Sequence, residues 1–517
     1  MLFLRGQRAK AQSLLSYLAK RCMSNTRKER SWFLRLPAVI FVVACFFLGG
    51  LLSAVQPDVF FSGDGGLKYL VARQINSGNS SVELYPEGAE WVQQIWAKGF
   101  YPFKPPFVYD QDDSKIVSFP PFFQWLTAPL LKLFGNAGLY IIPVVSLLLL
   151  WSWFGWILYR LNLQQRVIAG ALFCLFFCSP LTLYAAIYWE HTLAVLLGFG
   201  GIVFLVKPAR SCTQAFILGC LTGLSVWLRP EALLLWLLII AVVLYNQAQQ
   251  PEKRNAYFTA ASFVLVALFF VCNKALYGDF LGAHSYQLIT HTPWQEQLAR
   301  SFILFTHLNA KQFLFFPLSL LIYAMTCYAF IKKYAVPKEC FQLLFISISF
   351  SLIAPFLLPN GGGKQWGPRY FLLLIPSILI AGSLLINTVR FKTATLLWLL
   401  VPVVVYSLYL NSFSACKTLY DDYAYRVKPC LQLLQQDKCT ILIVQNQFIA
   451  QEFAALFETR QIFLAENKQQ YTQLETLLRA AGKQEWIFIA RDKPLLLPAN
   501  ADPVRRAGDY FFIKCGQ

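Results

Sequence analysis

Long apolar runs recur along almost the whole chain, and they leave it little choice but to cross a membrane many times. Leu36–Val55, Val167–Tyr188 and Tyr370–Ile386 each approach the roughly 20 residues that an α-helix needs to span the hydrocarbon core. Hydropathy predicts about eleven spans, at 36–55, 138–159, 167–188, 192–206, 213–228, 232–246, 257–275, 313–331, 340–358, 370–387 and 394–410. Arg229-Pro230-Glu231 interrupts the run 213–246, which is too long for one crossing, so two spans joined by a tight turn are expected there. Charged residues make up 14% of the chain, against about 25% in soluble domains.

The net charge of +19 fits a membrane protein better than a nucleic-acid binder. Nine of the first 35 residues are Lys or Arg, and Glu29 is the single acid among them. Alternate loops are basic as well, with Arg160 and Arg166, Lys207 and Arg210, Lys253 and Arg254, Lys332, Lys333 and Lys338, and Arg390 and Lys392. This distribution puts the segment 1–35 in the cytoplasm and the C-terminal region outside.

Two stretches break the hydropathy pattern. The first outside loop, about 56–137, opens with Asp64 and a helical spacing of Leu67, Leu70, Val71 and Ile75. It continues through a polar, aromatic stretch with Glu83, Glu87, Glu90, Trp91 and Trp96, then Asp110, Asp112 and Asp113. It ends in an aromatic helix after Phe119-Pro120-Pro121, of a kind suited to lie at the interface. The second stretch, 411–517, alternates strand-like and helix-like runs and predicts a small α/β domain outside the membrane. Strands are expected at 440–444, 461–464, 485–490 and 510–514, with helices at 448–457 and 471–480. The 13 cysteines form no CxxC pattern; Cys416, Cys430, Cys439 and Cys515 lie in this domain, where an oxidising compartment would allow one or two disulfides.

Polar residues at the outside ends of the spans are the candidates for chemistry. Asp64 sits in Gly63-Asp64-Gly65-Gly66, where it either caps a helix or works as a base. Glu190 and His191 follow the third span; two carboxylates on one face can share a divalent cation or divide base and orienting roles. Arg229 and Glu231 flank Pro230. The loop Asn360-Gly361-Gly362-Gly363-Lys364-Gln365-Trp366-Gly367-Pro368-Arg369-Tyr370 brings two cations and two aromatic rings beside a flexible glycine run. It lacks P-loop spacing and suits a lipid-linked phosphate better than a nucleotide.

Taken in order, Gly63-Asp64-Gly65-Gly66-Leu67-Lys68-Tyr69, Leu228-Arg229-Pro230-Glu231 and Gln365-Trp366-Gly367-Pro368-Arg369-Tyr370 resemble the GT-C polytopic glycosyltransferases. The likeness is to the bacterial relatives of protein O-mannosyltransferases and of lipid A aminoarabinose transferase, over residues 36–410. Many O-mannosyltransferases carry two adjacent acids where this chain has Asp64-Gly65. The resemblance implies an α-helical polytopic membrane protein of a bacterial inner membrane. It would be an inverting enzyme that moves a sugar from a polyprenyl-phosphate donor to a lipid, glycan or protein acceptor. Asp64 and Glu190 would be the catalytic acids. Lys68, Arg229, Lys364 and Arg369 would meet the donor phosphate, with His191, Glu231, Gln365, Trp366 and Tyr370 around the substrate. The alternatives are a transporter or flippase, which would place charges deep in spans and show an internal repeat, and a non-catalytic assembly factor, which would tolerate loss of Asp64.

Overall fold

The computed structural model describes residues 36–79, 82–84, 88–111, 114–207, 209–285, 294–358, 360–389, 393–491 and 503–515. The basic segment 1–35, Glu87, Asp112, Asp113, Arg390 and Lys392 lie outside them. Among the described residues, seven helices are long and apolar enough to cross a membrane: Leu36–Ser53, Phe122–Arg160, Ala232–Gln249, Lys253–Tyr277, Lys338–Leu357, Arg369–Thr388 and Ala394–Gln436. Two bent pairs raise the number to nine, with a 48° bend between Gln165–Phe177 and Pro180–Ala186 and a 94° bend between Gln295–Phe315 and Leu318–Ile331. His191–Val206 and Cys212–Leu228 are apolar but shorter. The expected eleven crossings therefore exceed the seven to nine that length and composition support. The shorter two are 16 and 17 residues, and a rise of about 1.5 Å per residue leaves them below a hydrocarbon core about 30 Å thick.

Backbone chemistry explains the breaks. Cys212–Leu228 stops because Arg229 precedes proline and takes an extended conformation, with φ −140° and ψ 118°. The next helix, Ala232–Gln249, starts three residues on. Cys212–Leu228 packs closely on Lys253–Tyr277 through small residues: a β-carbon at Gly219 would lie 2.3 Å from the Phe258 carbonyl oxygen. The aromatic helix Phe122–Phe134 does not stand apart. It runs through a 3₁₀ turn, Gly135–Tyr140, into the second expected span.

The C-terminal region is the expected α/β domain. Its helix Ala394–Gln436 continues from the last span without a break at 410, with π turns at Tyr409–Ser414 and Asp422–Val427. A hairpin in the loop after the first span holds β1 (Val108–Gln111) and β2 (Ser114–Val117). The domain itself carries β3 (Ile441–Val444), β4 (Gln461–Leu464), β5 (Trp486–Ala490), β6 (Arg505–Ala507) and β7 (Tyr510–Cys515), in the order β4-β3-β5-β7-β6. β3 pairs in parallel with β4 and β5, while β7 is antiparallel to both neighbours. Every residue of β3 and β5 is buried, as expected of central strands covered on both faces. Helix Lys468–Ala480 presents Tyr471, Leu474 and Leu478 inward and is capped by the Asn467 side chain, which accepts from the Gln470 N–H at 2.9 Å. Among the described residues, the domain cysteines Cys416, Cys430 and Cys439 are free thiols rather than members of the expected disulfides.

The loop after the first span clasps this domain. Trp96 Nε1 donates to the Ile462 carbonyl at 3.0 Å, the Lys104 N–H donates to Gln447 Oε1 at 3.1 Å, and Lys104 pairs with Glu466. Phe103 packs on Phe457 and Phe107 on Phe448, with ring centroids 5.5 and 5.6 Å apart. Helix Gly63–Asn76 lies against Gln447–Glu452 of the domain so tightly that a β-carbon on Gly66 would sit 1.8 Å from the Gln451 carbonyl oxygen. Tyr69 OH adds a 2.6 Å bond to Glu458.

Candidate functional site

Asp64 is not a helix cap. The N-cap of Gly63–Asn76 is Ser62, and Asp64 stands in the first turn with its carboxylate turned to Arg369. Arg369 Nη1 donates to Asp64 Oδ2 at 2.9 Å. Asp64 Oδ1 takes part in no hydrogen bond among the described residues. Arg369 starts the 3₁₀ turn Arg369–Leu374 and lies near the Trp189 and Tyr370 rings, at 5.5 and 5.4 Å from their centroids. Its Nε is buried without a partner among the described residues. The glycines beside Asp64 are there for packing: Gly63 and Gly66 let the helix meet the Gln451 segment, and Gly65 backs onto Phe60.

A second charged group continues from this pair. Glu190, the N-cap residue of His191–Val206, receives Lys68 on Oε2 and Arg229 Nη1 on Oε1 at 2.9 Å. Arg229 Nε also donates to Glu231 at 2.8 Å. Three carboxylates (Asp64, Glu190, Glu231) thus balance three cations (Lys68, Arg229, Arg369). Each acid sits at or within the first turn of a helix N-terminus, where the backbone N–H dipoles favour negative charge. Burial alone would raise the Glu190 carboxyl, but Lys68 and then Arg229 outweigh it and hold the group below the usual carboxylate range. Burial pulls the Lys68 ammonium down, and Glu190 and then Asp64 oppose it. With both oxygens engaged, Glu190 stands as a counter-ion to two buried cations.

The cluster forms the polar end of a cavity of about 550 Å³. Asp64, Glu190, Arg229, Glu231, Arg369 and Tyr370 line it together, although up to 305 residues separate them in sequence. Most of the rest of the wall is apolar and reaches Leu237 and Leu357, which are 49% and 61% exposed on the outer surface of the bundle. Sequence reasoning missed this wall, which draws Phe107 and Phe119 from the loop after the first span, Phe269 and Phe270 from a later span, and Phe448 from the C-terminal domain. Asn360, Gly362 and Gly363 of the glycine loop also face the cavity.

Five expected site residues lie elsewhere. Lys68 is buried behind the cavity on Glu190, over the Phe119 ring. Lys364 pairs with Asp422, which in turn pairs with Arg426, and lies 4.5 Å from the Phe61 ring centroid. Burial, then the Arg426 guanidinium, push Lys364 down to about 8, and Asp422 pulls the other way. His191 is 3% exposed between Tyr184 and Trp189, with both ring nitrogens unpartnered in the described residues. Gln365 donates back to the Gly361 carbonyl at 2.7 Å. Trp366 turns to Phe315 and gives its carbonyl to Tyr184 OH at 2.9 Å. A divalent cation shared by Asp64 and Glu190 does not suit this donor set: protein cations neutralise both, and no three His, Cys, Asp or Glu converge among the described residues.

No protein-family model and no curated protein matches the sequence. Among solved structures the chain is similar to ArnT from Cupriavidus metallidurans bound to undecaprenyl phosphate, with a TM-score of 0.58 and 14% identity over 92% of this chain and 97% of that one. The apo structure of the same ArnT gives a TM-score of 0.53 and 12% identity, again over 92% and 97%. The chain therefore has the GT-C fold of polytopic membrane proteins, and it carries a small C-terminal sheet domain.

Proposed function

We propose that this protein is an inverting glycosyltransferase that uses a polyprenyl-phosphate-linked sugar and acts on the outer face of a bacterial inner membrane. The observation that carries the reading is the Asp64–Arg369 pair at the polar end of a cavity whose apolar wall opens beside Leu237 and Leu357. An isoprenoid tail suits the wall, and a phosphate suits the guanidinium end. Arg369 and Arg229, the cations that line the cavity, are the donor-phosphate residues in this reading. Lys68 and Lys364, both already bound to buried or partly buried acids, hold the frame. Asp64 Oδ1 accepts the proton of an acceptor hydroxyl as that oxygen attacks the anomeric carbon. The cations stabilise the phosphate as it departs. The fold shared with ArnT, a protein seen with undecaprenyl phosphate, supports the donor class. The acceptor is a lipid, glycan or protein.

Reconstitution tests the reading: purified protein in liposomes, a radiolabelled polyprenyl-phosphate sugar, and cell-envelope acceptors. Label transfer that needs Asp64 is the expected result. Donor movement across the bilayer without transfer would instead support the flippase alternative.

A further inference from the structure

Arg369 is asked to do two things that compete. It lines the cavity where a donor phosphate would sit, yet its Nη1 is already bound to Asp64. The six charges of the cluster sum to zero without a substrate, so no cation there stands free for an incoming anion. The charge on the phosphate also grows during the reaction. A donor phosphodiester carries one negative charge, and the released polyprenyl phosphate carries about 1.5 to 2 near neutral pH.

From this geometry we infer that Arg369 is handed from Asp64 to the leaving phosphate by the proton transfer itself. The inference rests on the transfer reading above. The acceptor oxygen bonds to the anomeric carbon. Its proton moves to Asp64 Oδ1, and the bond from the anomeric carbon to the phosphate oxygen breaks with its electron pair left on the phosphate. Asp64 is then neutral and holds Arg369 with a neutral hydrogen bond, about half as strong as a charge-assisted one. The guanidinium turns to the phosphate as that group gains the charge Asp64 has lost. The partnerless Nε gives Arg369 a donor ready for the new contact before Nη1 lets go. Net charge in the cavity stays constant throughout, which removes the cost of an uncompensated buried charge. Asp64 is therefore the latch that keeps Arg369 from binding product-like phosphate too early.

Direct binding tests this without turnover. The probe is a long-chain polyprenyl phosphate in detergent, with the matching polyprenol as control. Wild type, Asp64→Asn, Arg369→Gln and the double variant are compared, with melting temperatures recorded alongside. Asp64→Asn leaves only a neutral bond on Arg369 and should bind the phosphate about 10-fold or more tightly than wild type, the value of one charged hydrogen bond. In the Arg369→Gln background the same change should add less than about twofold. Asp64→Leu, a second charge-removing variant of similar size, carries the test if Asp64→Asn does not fold. An equal gain with and without Arg369 would overturn the hand-over, since loss of a negative charge alone would then explain it. No gain in Asp64→Asn would overturn it as well. Failure of all four proteins to bind the phosphate above the polyprenol control would remove the donor assignment, and the hand-over with it.

Discussion

Replacement of Gly66 by alanine should disable the site from a position that never touches substrate. The new β-carbon would lie 1.8 Å from the Gln451 carbonyl oxygen. Carbon–oxygen contacts settle at about 3.3–3.6 Å, so helix Gly63–Asn76 and the Gln451 segment must part by about 1.5 Å. Backbone cannot rotate away as a flexible side chain can. Asp64 rides on the same helix two residues earlier, and its bond to Arg369 is 2.9 Å long. A retreat of that size carries the pair out of hydrogen-bond range. Misplacement by about 1 Å costs on the order of 10²-fold in rate, while overpacking costs about 1–3 kcal/mol of stability. Gly66→Ala should therefore fold, melt earlier, and transfer sugar about 10²-fold more slowly. Gly50→Ala is the control, because nothing lies within 4 Å of its β-carbon. The comparison is initial transfer rate against melting temperature in one detergent. Wild-type transfer by Gly66→Ala would refute the claim that contact with the C-terminal domain sets the position of Asp64.

Other perturbations address neighbouring groups. Glu190→Gln leaves Lys68 and Arg229 buried without their shared counter-ion and should cost about 3–5 kcal/mol, read as a large drop in melting temperature. His191→Phe keeps the ring contacts with Tyr184 and Trp189 and removes two orphaned nitrogens, so thermal stability should hold or rise, with transfer within about threefold of wild type. Lys364 is pushed down to about 8 from an ordinary 10.5. Between these values the unfolded chain binds more protons than the folded one, so its contribution to stability rises with pH across that window. Lys364→Met should flatten that part of a melting-temperature profile against pH.

The architecture was legible because two strong physical signals write it. Apolar length marks helices, and a change to alternating short runs marks the C-terminal sheet: β4 falls at Gln461–Leu464, where it was expected. Strand β6 was missed because Arg505-Arg506-Ala507 is an exposed edge with no apolar pattern. The continuity of Ala394–Gln436 was hidden by polar residues after 410, which need no apolar character once the helix leaves lipid. In the site, residue type and placement at helix ends singled out Asp64, Glu190, Arg229 and Arg369. Partner choice was not legible, since nothing local says that Arg369 meets Asp64 while Lys364 meets Asp422. Sequence adjacency misled at His191. It follows Glu190, but consecutive helical residues point in different directions, and its ring turns to Tyr184 and Trp189. The glycines around Asp64 read as a flexible helix start, whereas their role is to admit the Gln451 backbone from a domain nearly 400 residues away.

The central claim is that the Asp64 carboxylate does the proton chemistry of a sugar transfer. Sugar transfer from a polyprenyl-phosphate donor by Asp64→Asn, set beside its melting temperature, tests it most directly. Asparagine keeps the shape of the side chain and a neutral bond to Arg369 but cannot take the proton. Transfer should fall by about 10²-fold or more, the low end of general acid–base contributions, with the melting temperature within a few degrees of wild type. Transfer at the wild-type rate by a folded Asp64→Asn protein would contradict the account.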